Sequence, residues 1–329
     1  KTKTGYSTDI SVLEGLSAMG APFDEVPSLL IEYRELAKML SGFVHPLEKY
    51  AGEGSGIIHG VFEPAVTGTG RLSSRDPNLQ NLPSYGEWSV RIKKCLHPAA
   101  PGNVFVSADY SQIELRVLAH LSGDERLLEA FAQGRDIHRE TASWVFSTDP
   151  AMVTGELRRV AKMINFGLLY GMSSFGLAQR LGIGRAEASD IIERYFKALP
   201  GVKNYLEKSY EDAKRRGFAA TLSGRIRPLD EVPVSPRDRD ALRRVAVNTP
   251  IQGTAADIAR KAMIDFAAAF PSSGRVRLAL QVHDSLVCEC PRGEEENVRR
   301  SLEKIMEGAA ALATPLKVES KTGESLAEV

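Results

Sequence analysis

Cysteine is scarce in this chain of 329 residues. The three present, Cys95, Cys288 and Cys290, lack metal-ligand spacing, which excludes a cysteine-built metal centre. Cys288 and Cys290 alternate around Glu289 as strand neighbours do, and all three read as reduced thiols in a cytosolic setting. Missing too are any apolar run long enough to span a bilayer and any charged-then-apolar opening segment. The expectation is a protein neither membrane-bound nor secreted. An excess of one charge is absent: 42 Lys and Arg balance 42 Asp and Glu. That argues against a protein that coats nucleic acid, where phosphate neutralisation supplies the sequence-independent affinity. There is no internal repeat and no low-complexity tract. The first residue is Lys1 rather than methionine, and Lys1 to Asp9 reads as the middle of a longer sequence, so the chain is expected to be a fragment.

What is present is a hydrophobic fraction of 43%, enough for a sizeable core and more than one packed unit. Basic residues cluster at Lys93 and Lys94, Lys214 to Arg216, Arg225 and Arg227, and Arg237 to Arg244, with acids at Glu294 to Glu296; solvated faces account for most such clusters. Leu29, Leu30, Tyr33, Leu36 and Leu40 recur at helical spacing, predicting a long amphipathic helix over Pro27 to His45 that ends before Pro46. Ile57 to Phe62 is strand-like, and TGTGRLSSRDPNLQNLP, Thr67 to Pro83, reads as an extended polar binding loop. A strand is expected over Asn103 to Ala108. Helices are expected at Ile113 to Leu121, Ile137 to Phe146, Leu157 to Tyr170, Arg185 to Ala198, Val202 to Arg216 and Asn248 to Phe270, with a hairpin over Arg277 to Cys290. Val298, Leu302, Ile305, Met306 and Ala309 form one apolar helix face suited to the back of a sheet.

Three constellations carry chemistry. In DYSQIELR, Asp109 to Arg116, a carboxylate at a strand end either caps the helix it opens or projects into a cleft as a metal ligand. Glu114, five residues on, either faces the same cleft or is an ordinary surface glutamate. In RRVAKMINFGLLYG, Arg158, Lys162, Phe166 and Tyr170 recur every four residues and so form one slanting stripe. The stripe either packs into the core with its cations at the edge or offers phosphate contacts and ring faces to a nucleotide. Gly167 and Gly171 suggest close approach by a ligand or a bending element. In QVHDSLV, Gln281 to Val287, three polar residues interrupt an apolar strand where it should turn. Two acids to hold divalent ions, cations for a triphosphate and an aromatic group for a base are the parts a nucleotide-joining enzyme needs.

These segments resemble motifs A, B and C of the family A DNA polymerases, the group of bacterial DNA polymerase I. The similarity extends to TGTGRLSSRDPNLQNLP, GRDIHRETASWVF (Gly134 to Phe146) and NTPIQGTAAD (Asn248 to Asp257), in order along nearly the whole chain. It implies an α+β right-hand fold with an antiparallel-sheet palm, helical fingers and the end of a helical thumb. The thumb would cover residues 1–50, the palm 51–124 and 248–329, and the fingers 125–247. It implies template-directed addition of deoxynucleotides to a primer 3′ end, by a monomer in the bacterial nucleoid or a phage-infected cell. Two Mg²⁺ ions, with Mn²⁺ able to substitute, would sit on Asp109, Asp284 and the Tyr110 carbonyl. The incoming deoxynucleotide would meet Tyr110, Gln112, Glu114, His138, Arg158, Lys162, Phe166 and Tyr170, with Lys162 as proton donor and Glu114 as steric gate. Primer and template DNA would meet Arg71, Asn78, Gln80, Asn81, Arg244, Asn248, Gln252 and His283.

Two positions depart from the family pattern. Ser285 stands where many members have glutamate beside the motif C aspartate, as in the single-subunit RNA polymerases, which share His-Asp-Ser at this turn. The ending GESLAEV lacks the usual aromatic residue after its glutamate. Against the RNA polymerase alternative stands Glu114 within a complete DYSQIELR. A primer-template binding module without activity is the non-enzyme alternative.

Overall fold

The computed structural model describes residues 5–22, 24–52, 54–84, 86–230, 232, 240–271 and 274–329. Lys1 to Thr4 and Arg237 to Arg239 of the basic run lie outside them. No helix among the described residues is long and apolar enough to cross a membrane.

Chain order explains the layering. An N-terminal arm of α1 (Ile10–Ser17), α2 (Glu25–Met39) and α3 (His45–Gly52) is followed by a short ribbon, β1 (Val61–Glu63) with β2 (Ser73–Arg75), and by α4 (Glu87–Lys94). The central strand β3 (Asn103–Tyr110) leads into a helical block: α5 (Ile113–Ser122), α6 (Glu125–Ala132), α7 (Ile137–Phe146), α8 (Gly155–Leu169), α9 (Ser174–Leu181), α10 (Arg185–Ala198) and α11 (Pro200–Arg216). The hairpin β4 (Phe218–Ala220) and β5 (Ile226–Pro228) precedes the long α12 (Ala241–Ala269). The chain closes with β6 (Arg277–Val282), β7 (Ser285–Pro291), α13 (Glu295–Glu307) and β8 (Val318–Gly323).

The main sheet is antiparallel in the order β6-β7-β3-β8. Its faces follow the period of two. Val104, Val106, Ala108 and Tyr110 of β3 join Leu286, Cys288 and Cys290 of β7 in the main core, which α13 closes with Val298, Leu302 and Met306. Phe105 and Val287 face the other way and pack with Leu326. Glu289 shares that second face and is buried because its carboxylate accepts from the backbone N–H of Ala99 at 2.8 Å.

Helix signals act where the sequence places them. Asp136 caps α7 by accepting from the N–H groups of His138 and Arg139, and Thr154 caps α8 through the N–H of Leu157. Pro250 lies inside α12, where it cannot donate to the Ala246 carbonyl four residues back. Ser209 Oγ donates to that carbonyl instead, at 3.2 Å.

Some expectations fail locally. The helix expected to stop before Pro46 instead passes through a π-helical turn, Leu40–Val44, and α3 begins at His45. Pro46 is tolerated because the first turn of a helix has no need of its N–H. On the apolar face of that amphipathic helix, Leu29 and Tyr33 are 57% and 69% exposed. The strand expected from Ile57 is confined to Val61–Glu63, and the loop from Thr67 to Pro83 contains β2 and a 3-10 turn, Leu79–Asn81. Ala309 lies beyond the end of α13.

Candidate active site

The two aspartates, far apart in sequence, meet at the end of the main sheet. Asp109 pairs directly with Ser285 of β7 and, on its other side, with Glu319 of β8, so these three side chains leave the same face. Asp284 occupies the two-residue turn between β6 and β7, and its carbonyl accepts from the Tyr110 N–H at 3.2 Å. Asp109 does not cap the next helix. Gln112 holds that position with φ of +55°, and α5 opens at Ile113 rather than at the aspartate. Glu114 is not a surface residue either; it is 3% exposed.

A cleft of about 330 Å³ collects the stripe of α8 opposite these acids. Its lining includes Arg71, Asp109, Tyr110, Gln112, Glu114, His138, Arg158, Lys162, Phe166, Tyr170, Asp284 and Glu319. A larger concavity, about 590 Å³ between α5, α11 and α12, contains neither aspartate.

Each side chain of the stripe is held. Arg158 Nε donates to Asp136 at 2.7 Å. Burial alone would raise the Asp136 carboxyl, but Arg158 and the capped N–H groups outweigh it and leave it below the usual range. Asn165 Nδ2 lies 3.1 Å from His138 Nδ1; donation there leaves Nε2 as the imidazole's donor. Burial, with help from Arg158 and Lys162, pushes the His138 imidazole down to about 4, so it is neutral near pH 7. The rings of His138 and Phe166 lie 5.8 Å apart, and those of Phe166 and Tyr170 are stacked at 6.3 Å. Lys162 is exposed to the cleft and has no hydrogen-bond or ion-pair partner among the described residues. The two glycines serve the protein itself: a Cβ on Gly167 would collide with Met172, and Gly171, at φ +74°, lets Arg244 pass within 2.6 Å of the same point.

Burial first, then the charges of Asp284 and Glu319, raises the Asp109 carboxyl to about 6. Asp109 sits exposed at the cleft mouth, so solvent screens part of this repulsion. Asp284 is raised as well by burial, opposed by Arg71, whose Nη2 is 3.7 Å away, and by His283. Two adjacent carboxylates with incomplete compensation are a hard-oxygen donor set that fits a divalent cation. Among the described residues no three His, Cys, Asp or Glu side chains converge as ligands, so a backbone carbonyl such as that of Tyr110, water or substrate oxygens would have to complete the shell.

The residues expected to meet DNA are less concentrated. Arg71 and His283 adjoin the cleft, the latter beside Asp284 in a small neighbouring pocket. Gln80 reaches the same region through Gln281. Asn248 and Gln252 lie one turn apart on α12, and the buried Asn248 Oδ1 has no hydrogen-bond partner among the described residues. Asn78 and Asn81 are not brought into the cleft; they line another pocket with Phe43 and Tyr50, and Asn78 caps the 3-10 turn through the Gln80 N–H. Sequence reasoning missed Asp136, Asn165, Gln281 and Glu319. Only Asp136 carried a signal, as an Asp directly before a helix.

A sheet-borne acid pair facing a cationic and aromatic helix, on an α+β frame, is the right-hand polymerase architecture. The chain belongs to DNA polymerase family A, whose family model matches residues 1–328. It is 45% identical over 325 residues to DNA polymerase I of Geobacillus stearothermophilus, covering 98% of this chain and 37% of that protein. It is 45% identical over 324 residues to the thermostable DNA polymerase I of Thermus aquaticus, covering 98% and 38%. A solved structure, the POL domain of Pol1 from M. smegmatis in complex with DNA primer-template and dNTP, superimposes with a TM-score of 0.91 at 40% identity, covering 99% of this chain and 57% of that one. The chain therefore spans well under half the length of the curated relatives it matches.

Proposed function

We propose that this chain is the catalytic module of a template-directed DNA polymerase that adds deoxynucleotides to a primer 3′ end and releases pyrophosphate. One observation carries the reading: Asp109 and Asp284 share a cleft with Arg158, Lys162, Phe166 and Tyr170. Likeness to the M. smegmatis domain bound to primer-template and dNTP supports the choice of substrates. Residues 1–50 would be the end of a thumb, 51–124 and 248–329 the palm, and 125–247 the fingers.

Asp109, Asp284 and the Tyr110 carbonyl would hold two Mg²⁺ ions, or Mn²⁺. When bound, such ions acidify a 3′-hydroxyl and neutralise departing pyrophosphate. The protein's own groups do the rest. Arg158, fixed by Asp136, supplies charge to the triphosphate, and neutral His138 donates from Nε2. Lys162, free to reorient, hands a proton to the leaving pyrophosphate oxygen. Phe166 stacks on sugar and base. Tyr170 fills the template-base position until the incoming pair displaces it, which makes selection depend on pair shape. Gln112 lines the nucleotide's path, and Glu114 occupies space that a ribose 2′-hydroxyl would need. Arg71, Gln80, Asn248 and Gln252 contact primer and template, partly through minor-groove acceptors common to all base pairs, and His283 sits against the primer end. Arg244, Asn78 and Asn81 would contact the strands at their periphery.

Extension of a labelled primer by the intact protein in Mg²⁺ tests this. Asp109→Asn and Asp284→Asn should each lower extension on the order of a thousandfold, since metal-borne charge stabilisation is worth several kcal/mol. DNA affinity should hardly change. Extension at the parent rate by either variant would refute the assignment.

A further inference from the structure

Gln281 belongs to no role given above, yet its side chain joins two parts of the proposed site. It lies on β6 opposite Leu286 and is 7% exposed. Its Nε2 donates to the carbonyl of His283, and its Oε1 accepts from Gln80 Nε2 at 2.7 Å; the same Gln80 amide lies 3.2 Å from the Gln281 carbonyl. Both ends of a buried amide are thus engaged, across 201 positions of sequence.

What the amide holds is the catalytic turn. His283 has φ of +53°, a left-handed conformation that a non-glycine residue adopts only when its surroundings enforce it. The turn is anchored from two sides: the Asp284 carbonyl takes the Tyr110 N–H, and the His283 carbonyl takes Gln281. Gln80 stands on the 3-10 turn Leu79–Asn81, in the loop that also carries Arg71. That turn is seated by the Leu79 N–H bonding to Ser74 Oγ at 3.1 Å.

We infer that Gln281 is a positioning residue: it fixes the direction of the Asp284 carboxylate through the His283 carbonyl, and it couples that carboxylate to the loop bearing Gln80 and Arg71. The inference rests on the proposed metal-binding role of Asp284. Groups hydrogen-bonded directly to a metal ligand are worth roughly 10- to 100-fold in metal affinity; Gln281 acts through the neighbouring backbone, which places its effect at the lower end of that range.

The test is Tb³⁺ binding, read by tyrosine-sensitised luminescence of the intact protein without DNA or nucleotide; Tb³⁺ is a hard oxygen-seeking probe, and Asp109→Asn defines the site-specific signal. Gln281→Met keeps the length and neutrality of the side chain but loses both the donor to His283 and the acceptor for Gln80; Gln281→Leu loses both in a shorter, branched side chain. Each should weaken Tb³⁺ about tenfold and lower kcat for nucleotide addition with KM little changed. Gln80→Ala should weaken Tb³⁺ less, and its effect should vanish in the Gln281→Met background. Far-ultraviolet circular dichroism and melting screen each variant; if Gln281→Leu fails to fold, Gln281→Met and Gln80→Ala carry the test. Parent-like Tb³⁺ affinity in folded Gln281→Met overturns the inference. A parent protein that extends no primer yet shows these Tb³⁺ losses refutes the polymerase reading while the coupling stands.

Discussion

The Tyr170 hydroxyl donates to Glu114 at 2.5 Å, while the other oxygen of Glu114 accepts from Arg71 at 2.6 Å. A buried glutamate is thereby fixed between the end of α8 and the loop after β1. Burial raises its carboxyl despite these partners, and the phenol of Tyr170 is raised by burial and by Glu114.

As the proposed gate, a glutamate so braced would discriminate by shape. Glu114→Ala should open the sugar position and lower the preference for deoxynucleotides over ribonucleotides by about 10- to 200-fold, the range a pocket commands by volume. Tyr170→Phe removes one brace and should move the preference the same way by less. Single-nucleotide insertion with matched dNTP and NTP measures both ratios. An unchanged ratio for Glu114→Ala would favour the RNA polymerase alternative that Ser285 raises.

The sequence revealed the parts whose pattern is local. β3 is a compact apolar run, α7 has both apolar periodicity and an Asp136 cap, and α10 has periodicity alone, so the strand and both helices appear where expected. The four-residue recurrence placed Arg158, Lys162, Phe166 and Tyr170 on one face before any partner was known. What escaped depends on distant pairing. β8 reads as alternating charge because it is an edge strand, and only its register with β3 brings Glu319 beside Asp109. Gln281 looks like one more strand residue, since its partners lie in another segment. The arm at Pro27 to His45 misled because helical spacing of apolar residues states which face could be buried, not what covers it.

Asp109 makes stability respond to pH and divalent cation together. Its folded value, about 6, lies above the usual value of about 4 for an unfolded aspartate. A carboxyl raised in this way contributes stability fully below the unfolded value, and the contribution is lost as pH rises through about 6. Asp284 is raised too and acts in the same direction. His138, depressed to about 4, acts oppositely, favouring the folded chain at neutral pH and opposing it as pH falls. The comparison that isolates the aspartate is parent against Asp109→Asn. In chelator, the parent's melting temperature should fall relative to the variant's between pH 5 and 7. Mg²⁺ should restore it at pH 7.5 and have little effect at pH 5. Parallel melting curves for the two proteins would remove Asp109 as the source.

Ser285 pairs with Asp109 across β3 and β7, with Glu319 on the opposite flank. A carboxylate at 285 would therefore stand beside an aspartate that already feels two acids, raising local negative charge further. With divalent ions bound, added charge is attractive; without them, it is repulsive. Ser285→Glu should lower the Mg²⁺ concentration for half-maximal extension severalfold, since one further unit charge at partly solvated range contributes about 1 kcal/mol or more. The same substitution should lower the melting temperature in chelator and raise the pH at which Asp109 ionises. Titrating extension rate against Mg²⁺, alongside melting with and without the ion, separates the two effects. If Mg²⁺ dependence is unmoved while melting falls, the serine is a packing choice in this sheet and does not set the protein's requirement for metal.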